Sequence, residues 1–269
     1  MSRQSLYQTE SRVLSRSGEL SQIKPLVQEI RMRMPRIGTR KLYYLLKTEF
    51  ARQGLKIGRD ALFDYLRSEQ LLIRPKKNYT KTTNSKHWLR KHPNLLKEVQ
   101  ARRPEEVFVS DITYLKNGER TYYLSLVTDA YSRKIMGYHV GDDLSAENAV
   151  QALRMAVKER LNKKELIHHS DRGLQYASAV YQLELQRNQI RPSMTDGYDC
   201  YQNALAERIN GILKQEFLLY ACQTKEELEL LVKESIETYN QERPHLSLQM
   251  NTPAEVHKKA CENNFTGSD

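Results

Sequence analysis

Three acidic residues have the types and spacing of a divalent-cation site: Asp111 in VFVSDITYL, Asp171 in LIHHSDRGLQY and Glu207 in NALAERINGILKQE, with thirty-five residues between the last two. Carboxylates are hard oxygen donors of the kind Mg²⁺ takes. A phosphodiester is anionic and resists attack by water, and two such ions about 3.5 to 4 Å apart activate a nucleophile and stabilise the leaving oxygen. Three acids partly neutralise the ions and leave positions for water and phosphate. The pattern points to metal-dependent chemistry on phosphodiesters. His168-His169 and Ser170-Asp171 do not form a Ser/His nucleophile, because neighbours in a strand face opposite ways. Both rings are expected to be satisfied histidines near a sheet.

Strand patterns begin after Arg103-Pro104. Residues 106–115 alternate, with Val107, Val109 and Asp111 on one face. A second run covers 121–128 and a third 134–140, separated by Asn117-Gly118 and by Ala130 to Arg133. A helix over about 145–160 leads to a strand at 166–170, a helix at 178–188, a strand at 190–194 and a long helix from Asn203. The order βββαβαβα predicts an α/β, ribonuclease-H-like fold with a mixed five-stranded sheet flanked by helices. Asp111 then lies on a central first strand, and Asp171 closes the fourth strand beside it. On the last helix Asn203, Glu207, Asn210 and Lys214 share one face, while Leu205, Ile209, Ile212 and Leu213 cluster on the other.

The charge is divided unevenly. Residues 1–103 hold 24 Lys+Arg against 8 Asp+Glu (net +16), and residues 104–269 hold 19 against 25 (net −6). A basic half is the electrostatic footprint of a polyanion binder, and a merely solvated basic surface has the same composition. Ile23, Leu26, Val27 and Ile30 mark one helix, stopped by Pro35 and Gly38. A second follows Thr39 as N-cap and carries Leu42, Leu45, Leu46 and Phe50. A third follows Gly58 with Leu62, Phe63 and Leu66 inward and Arg59, Asp60, Asp64 and Arg67 outward. Three short helices with tight turns fit an all-α helix-turn-helix domain whose last helix enters a major groove, and they fit small bundles that touch no DNA. From Arg74 to Lys91 seven Lys/Arg and no acid read as an extended basic linker. Trp88, Leu95 and Leu96 predict that its far end is pinned to something apolar.

No apolar run approaches the roughly 18 residues of a membrane helix, and the start MSRQSLYQTESR has no signal-peptide core, so no membrane is involved and a cytoplasmic location is expected. Cys200, Cys222 and Cys261, widely spaced and without a CxxC pair, are expected to be reduced and partly buried. Asp129 is expected to cap a turn, Tyr176 and Tyr198 to pack, and Thr224 to Glu227 to form a capping box.

The segments VSDITYL, TDAYSRKIMGYH, HSDRGLQYAS, NALAERINGILKQE, YNQERPHLSL and TPAE resemble the second-reading-frame transposases of bacterial insertion sequences, which have retroviral-integrase-like DDE cores. The resemblance covers nearly the whole chain. It implies that Asp111, Asp171 and Glu207 are the metal-binding catalytic triad for two Mg²⁺ ions, with Mn²⁺ as a substitute. It implies that Lys214 contacts DNA near the scissile end and that Asn203 orients a carboxylate or touches DNA. Hydrolysis would expose a 3′-hydroxyl at the element's end, and that hydroxyl would attack another phosphodiester, with joining of the two ends and insertion into target DNA through a circular intermediate. Arg59 and Arg67 are the corresponding expectation for the groove-reading helix. Arg243-Pro244-His245 is expected to close the C-terminal region over the core.

The resemblance departs from retroviral integrases at the start: the first 100 residues hold only His87 and His92 and no cysteine, so no N-terminal zinc module is expected. The domain boundaries expected are a DNA-binding helical domain at 1–73, the basic linker at 74–103, the catalytic core at 104–222 and a C-terminal helical extension at 223–269. The partners expected are insertion-sequence ends and target DNA, further copies of the chain on DNA, and a first-frame product that supplies another DNA-binding region. In the cell such a protein would associate with the nucleoid. Two other functions fit the residues: a DNA-binding regulatory protein inactive without that region, and a ribonuclease-H-like hydrolase acting on hybrids.

Overall fold

The computed structural model describes residues 22–73, 89–96, 101–196 and 203–265, and the chain divides between residues 76 and 77 into two compact units. Each unit is built around its own apolar core.

The first unit holds α1 (Ile23–Arg33), α2 (Thr39–Arg52) and α3 (Arg59–Ser68). Ile23, Val27, Leu42, Leu46, Phe50, Leu62 and Leu66 are buried, together with Ile37 from the turn after α1. These are the positions that 3.6-residue spacing places on inner faces. Gly38 rather than Thr39 is the N-cap of α2; Thr39 is the first helical residue and is itself buried. α2 ends on Gly54 at φ 70°, where Leu55 N–H reaches back 2.8 Å to the Phe50 carbonyl. This left-handed stop suits glycine and reverses the chain toward α3. Tyr65 is buried with Leu62 and Leu66, while Phe63 is only partly covered.

The second unit is a mixed five-stranded sheet in the order β3-β2-β1-β4-β5. Its strands are β1 (Val107–Asn117), β2 (Arg120–Asp129), β3 (Ile135–Gly141), β4 (Ile167–Ser170) and β5 (Arg191–Met194). β1, β2 and β3 form an antiparallel meander, β4 pairs parallel with β1, and β5 pairs parallel with β4. One face is covered by α4 (Ala146–Lys158), the short α5 (Leu174–Ala177) and α6 (Ala179–Arg187), which share a core with Phe108, Val127 and Met136. Gly137 permits α4 to lie directly on β3, since a β-carbon there would stand 2.1 Å from the Ala152 carbonyl oxygen.

The opposite face of β1 presents Val107 and Val109 to Ala206 of α7 (Ala204–Ile212), with Leu96 packed alongside. Leu89 joins the other core, so the far end of the basic linker is pinned to this unit as its apolar residues predict. Residues 74–88, with Trp88, lie outside the described residues, as do Tyr198 and Cys200.

Beyond α7 the chain makes a π-helical turn (Leu213–Phe217), then α8 (Lys225–Gln241), a 3₁₀ turn (Leu246–Leu248) and α9 (Pro253–Phe265). Thr224 Oγ1 accepts from Glu227 N–H at 3.2 Å, and Glu227 Oε2 accepts from Gln223 N–H at 2.8 Å, a capping box reaching one residue further back than usual. The side chain of Asn240 accepts from Ile135 N–H at 2.9 Å and donates to its carbonyl at 3.0 Å, which satisfies the start of the edge strand. Arg243, 1% exposed, grips Glu216 bidentately at 2.7 and 2.8 Å and donates to His245 at 3.0 Å. The expected closing role of the Arg-Pro-His segment takes this form. Among the described residues no helix is long and apolar enough to cross a membrane.

Candidate functional site

β1 and α7 meet in register. Along the strand, residues two apart share a face about 6.6 Å apart; along the helix, residues four apart share a face about 6 Å apart. The two repeats nearly match, so odd residues of β1 meet every fourth residue of the helix. Val109 packs in one cluster with Ala206, the Asn210 amide donates to Asp111 Oδ2 at 2.8 Å, and Lys214 Nζ donates to Thr113 Oγ1 at 3.2 Å. Asp111 is therefore held between an apolar rung and a basic one.

Asp171 reaches the same place from the parallel neighbour. Ser110 of β1 is paired with Ser170 of β4, so Asp111 and Asp171 are the next residues along two adjacent strands. Asp171 Oδ1 accepts from Gly173 N–H at 2.9 Å, and a β-carbon on Gly173 would lie 3.0 Å from that oxygen. A side chain at Gly173 would crowd the Asp171 carboxylate, and the tight Asp-Arg-Gly turn fixes that carboxylate through the Gly173 N–H. Glu207, in the first turn of α7 and exposed, completes the group.

The three acids feel one another. Withdrawal from water and then the charge of Asp171 push the Asp111 carboxyl up to about 7, against the Asn210 hydrogen bond, with Glu207 adding to the rise. Withdrawal from water and Asp171 also raise Glu207. Lys214 is lowered by partial burial, which the charge of Asp111 opposes. Anions held together at such a cost fit a site that a hard cation would neutralise, and oxygen donors are the appropriate set for Mg²⁺ or Mn²⁺. Among the described residues these three are not drawn into a set with all ligand atoms within 4.8 Å of one another.

The surroundings are fixed by buried polar groups. Asn203 is 4% exposed at the N-terminus of α7, and its amide donates to the Ser110 carbonyl at 3.1 Å, one residue before Asp111. The side-chain oxygens of Asn203 and Asn210 and the Tyr176 hydroxyl are buried without a hydrogen-bond partner. Tyr176 is held well above the ordinary tyrosine range by burial, then by Tyr181, Asp111 and Asp171, so it underlies the acids and does not present a face for stacking on bases. His168 Nε2 lies 2.7 Å from Ser110 Oγ and 2.8 Å from the Tyr181 hydroxyl, and burial drives its pKa down to about 3. His169 Nδ1 lies 2.9 Å from Ser193 Oγ. Both rings are the satisfied, buried histidines expected, and His168 is neutral.

Sequence reasoning placed Asn210 on the site face without a role, and it is the side chain that holds Asp111. A polar residue one turn after an acid, on a face otherwise reserved for the site, is the signal that could have found it. Lys214 stands in the π-helical turn, an irregularity that periodicity does not reveal. In the first unit Arg59 and Arg67 are exposed on α3, each paired within its helix, to Asp60 at 2.8 Å and to Asp64 at 2.6 Å.

The Integrase core domain family matches residues 101–200, and a second family of the same description matches residues 188–253. A chain of the simian T-cell lymphotropic virus intasome, solved by cryoEM in complex with PP2A regulatory subunit B56 gamma, shares the fold: TM-score 0.52, 18% identity, 86% of this chain and 74% of that one. Transposase InsF for insertion sequence IS3A of Escherichia coli (strain K12) is 34% identical over 172 residues, 64% of this chain and 60% of that protein. An insertion element IS600 protein of 31 kDa from Shigella sonnei is 34% identical over 236 residues, 86% of this chain and 87% of that one. With an integrase-type sheet, two integrase core matches and a relative aligned over nearly its whole length, the chain belongs to the insertion-sequence transposases with an integrase-like catalytic core.

Proposed function

We propose that the chain cleaves the ends of an insertion sequence and transfers the exposed strand to target DNA, with Asp111, Asp171 and Glu207 as the catalytic metal ligands. The observation that carries this reading is the pairing of Ser110 with Ser170, which sets Asp111, within β1, beside Asp171, just past the end of β4, where Asp111 is pushed up to about 7. Two Mg²⁺ ions, or Mn²⁺ in their place, would supply Lewis acidity to activate the attacking oxygen and stabilise the leaving one. The same site serves both steps, first with water and then with the 3′-hydroxyl.

The protein's own groups do the positioning. Asn210 orients the Asp111 carboxylate, and Asn203 fixes the backbone of β1 beside it. Lys214, exposed next to Thr113, offers its ammonium to a phosphate near the scissile bond. In the first unit Arg59 and Arg67 would exchange their intrahelical carboxylate partners for DNA phosphates or base edges, which makes α3 the proposed reading helix. Self-association on DNA follows from the need to process two element ends together, and a first-frame product is the proposed source of further DNA contacts.

The test is incubation of the chain with labelled element ends and Mg²⁺, comparing wild type with Glu207→Gln. Loss of cleavage with retained binding is expected, and equal cleavage by both removes the triad assignment. Wild type that binds but never cuts, even with a first-frame region restored, would make the chain a regulatory DNA-binding protein instead.

A further inference from the structure

A second set of metal-type ligands lies outside the triad. Glu105, His257 and Cys261 are 0, 1 and 5% exposed, and one ligand atom from each lies within 4.8 Å of the other two. His257 and Cys261 are four apart on α9, so one helix face presents an imidazole and a thiol side by side. Glu105, two residues before β1, has φ 58° and is turned inward. Its two oxygens accept from the backbone N–H groups of Leu161 at 2.7 Å and Asn162 at 3.0 Å. We infer that Glu105, His257 and Cys261 form a zinc site that fastens the C-terminal helix to the root of the strand carrying Asp111.

Three features favour a cation over a simple buried ion pair. The first is spacing: His257 Nε2 stands 3.3 Å from Glu105 Oε1. A charge-assisted hydrogen bond closes to about 2.7–2.9 Å, whereas nitrogen and oxygen on a tetrahedral zinc at about 2.0–2.1 Å are about 3.3 Å apart. The second is the other ring nitrogen. His257 Nδ1 faces Ser132 Oγ at 3.0 Å and Asp129 Oδ2 at 3.6 Å, the carboxylate-behind-histidine arrangement that fixes the tautomer of a zinc ligand and turns Nε2 toward Glu105 Oε1, the contact a bridging metal would replace. Asp129 is itself locked by the N–H groups of Ser132 at 2.8 Å and Glu105 at 2.9 Å. The third is the donor set. One imidazole, one carboxylate and one thiolate select zinc over magnesium, which prefers oxygen alone. The fourth position falls to a water or to the second Glu105 oxygen.

The site is independent of the transposition reading, and its test needs no cleavage assay. Metal-free full-length chain is titrated with Co²⁺ as a spectroscopic stand-in for Zn²⁺. A near-ultraviolet thiolate-to-Co²⁺ charge-transfer band saturating at one equivalent and bleached by Zn²⁺ is expected. It should vanish in Cys261→Ser and in His257→Asn and survive in Cys200→Ser, Cys222→Ser and Glu207→Gln. Circular dichroism checks that the variants are folded, and Zn²⁺ should raise the melting temperature of wild type but not of Cys261→Ser. No band in wild type, which needs no variant to interpret, overturns the inference, as does a band that persists without Cys261.

Discussion

Replacing Asp111 with Asn should stabilise the metal-free chain while abolishing its activity. The folded state holds this carboxyl at about 7 against 3.8 for an unperturbed group. At about 1.4 kcal/mol per pH unit, keeping it ionised in the folded chain costs up to ~4 kcal/mol. Asp111 is only partly covered by protein, so water screens some of that cost and a gain of about 2–3 kcal/mol is expected at pH 8. The sign follows from the raised value: the acid's contribution to stability is intact below about pH 4 and is lost as pH rises toward 7. The advantage of Asp111→Asn should therefore grow between pH 5 and pH 7 and level off above. Asn keeps an oxygen to accept from the Asn210 amide, so the geometry survives. Urea unfolding in EDTA across that range measures the effect, and adding Mg²⁺ should stabilise wild type and narrow the gap. A variant less stable than wild type at pH 8, or a gain independent of pH, would refute the idea that burial and the neighbouring acids strain the ionised Asp111.

Asn210→Ala should lower cleavage about 10–100-fold with DNA binding unchanged, the size expected when a group orienting a metal ligand is lost; binding and single-turnover cleavage measured side by side separate the two. Arg59→Ala with Arg67→Ala should weaken DNA binding and reduce the slope of log affinity against log salt by about 2, if each releases a phosphate contact. An unchanged slope would remove α3 from the interface.

Much of the fold was readable because its signals are local. Asn117-Gly118 between two alternating runs marks a hairpin, and the βββαβαβα order follows from runs whose observed ends differ by a residue or two. Asp111 and Asp171 could be placed together because parallel pairing of a first and fourth strand is a property of that order. What escaped depends on contacts distant in sequence. Asn210 acquires its role only when α7 lies along β1, and the Glu216 partner of Arg243 comes from the π-helical turn, which has no hydrophobic period of its own. Thr39 illustrates a smaller limit: Gly38 and Thr39 both suit a helix start, and burial of the threonine decides between them. Cys261 looked like an isolated thiol because the residues around it, Glu105 and Asp129, lie more than a hundred positions earlier.

The central claim is that Asp171 holds a catalytic metal ion. Exchanging its oxygen ligand for sulfur tests this directly, since a thiolate binds Mg²⁺ poorly and the softer Mn²⁺ better. Cleavage of labelled element ends by Asp171→Cys should disappear in Mg²⁺ and partly return in Mn²⁺, while wild type cuts in both. Cleavage by Asp171→Cys in Mg²⁺ at the wild-type rate would contradict the claim.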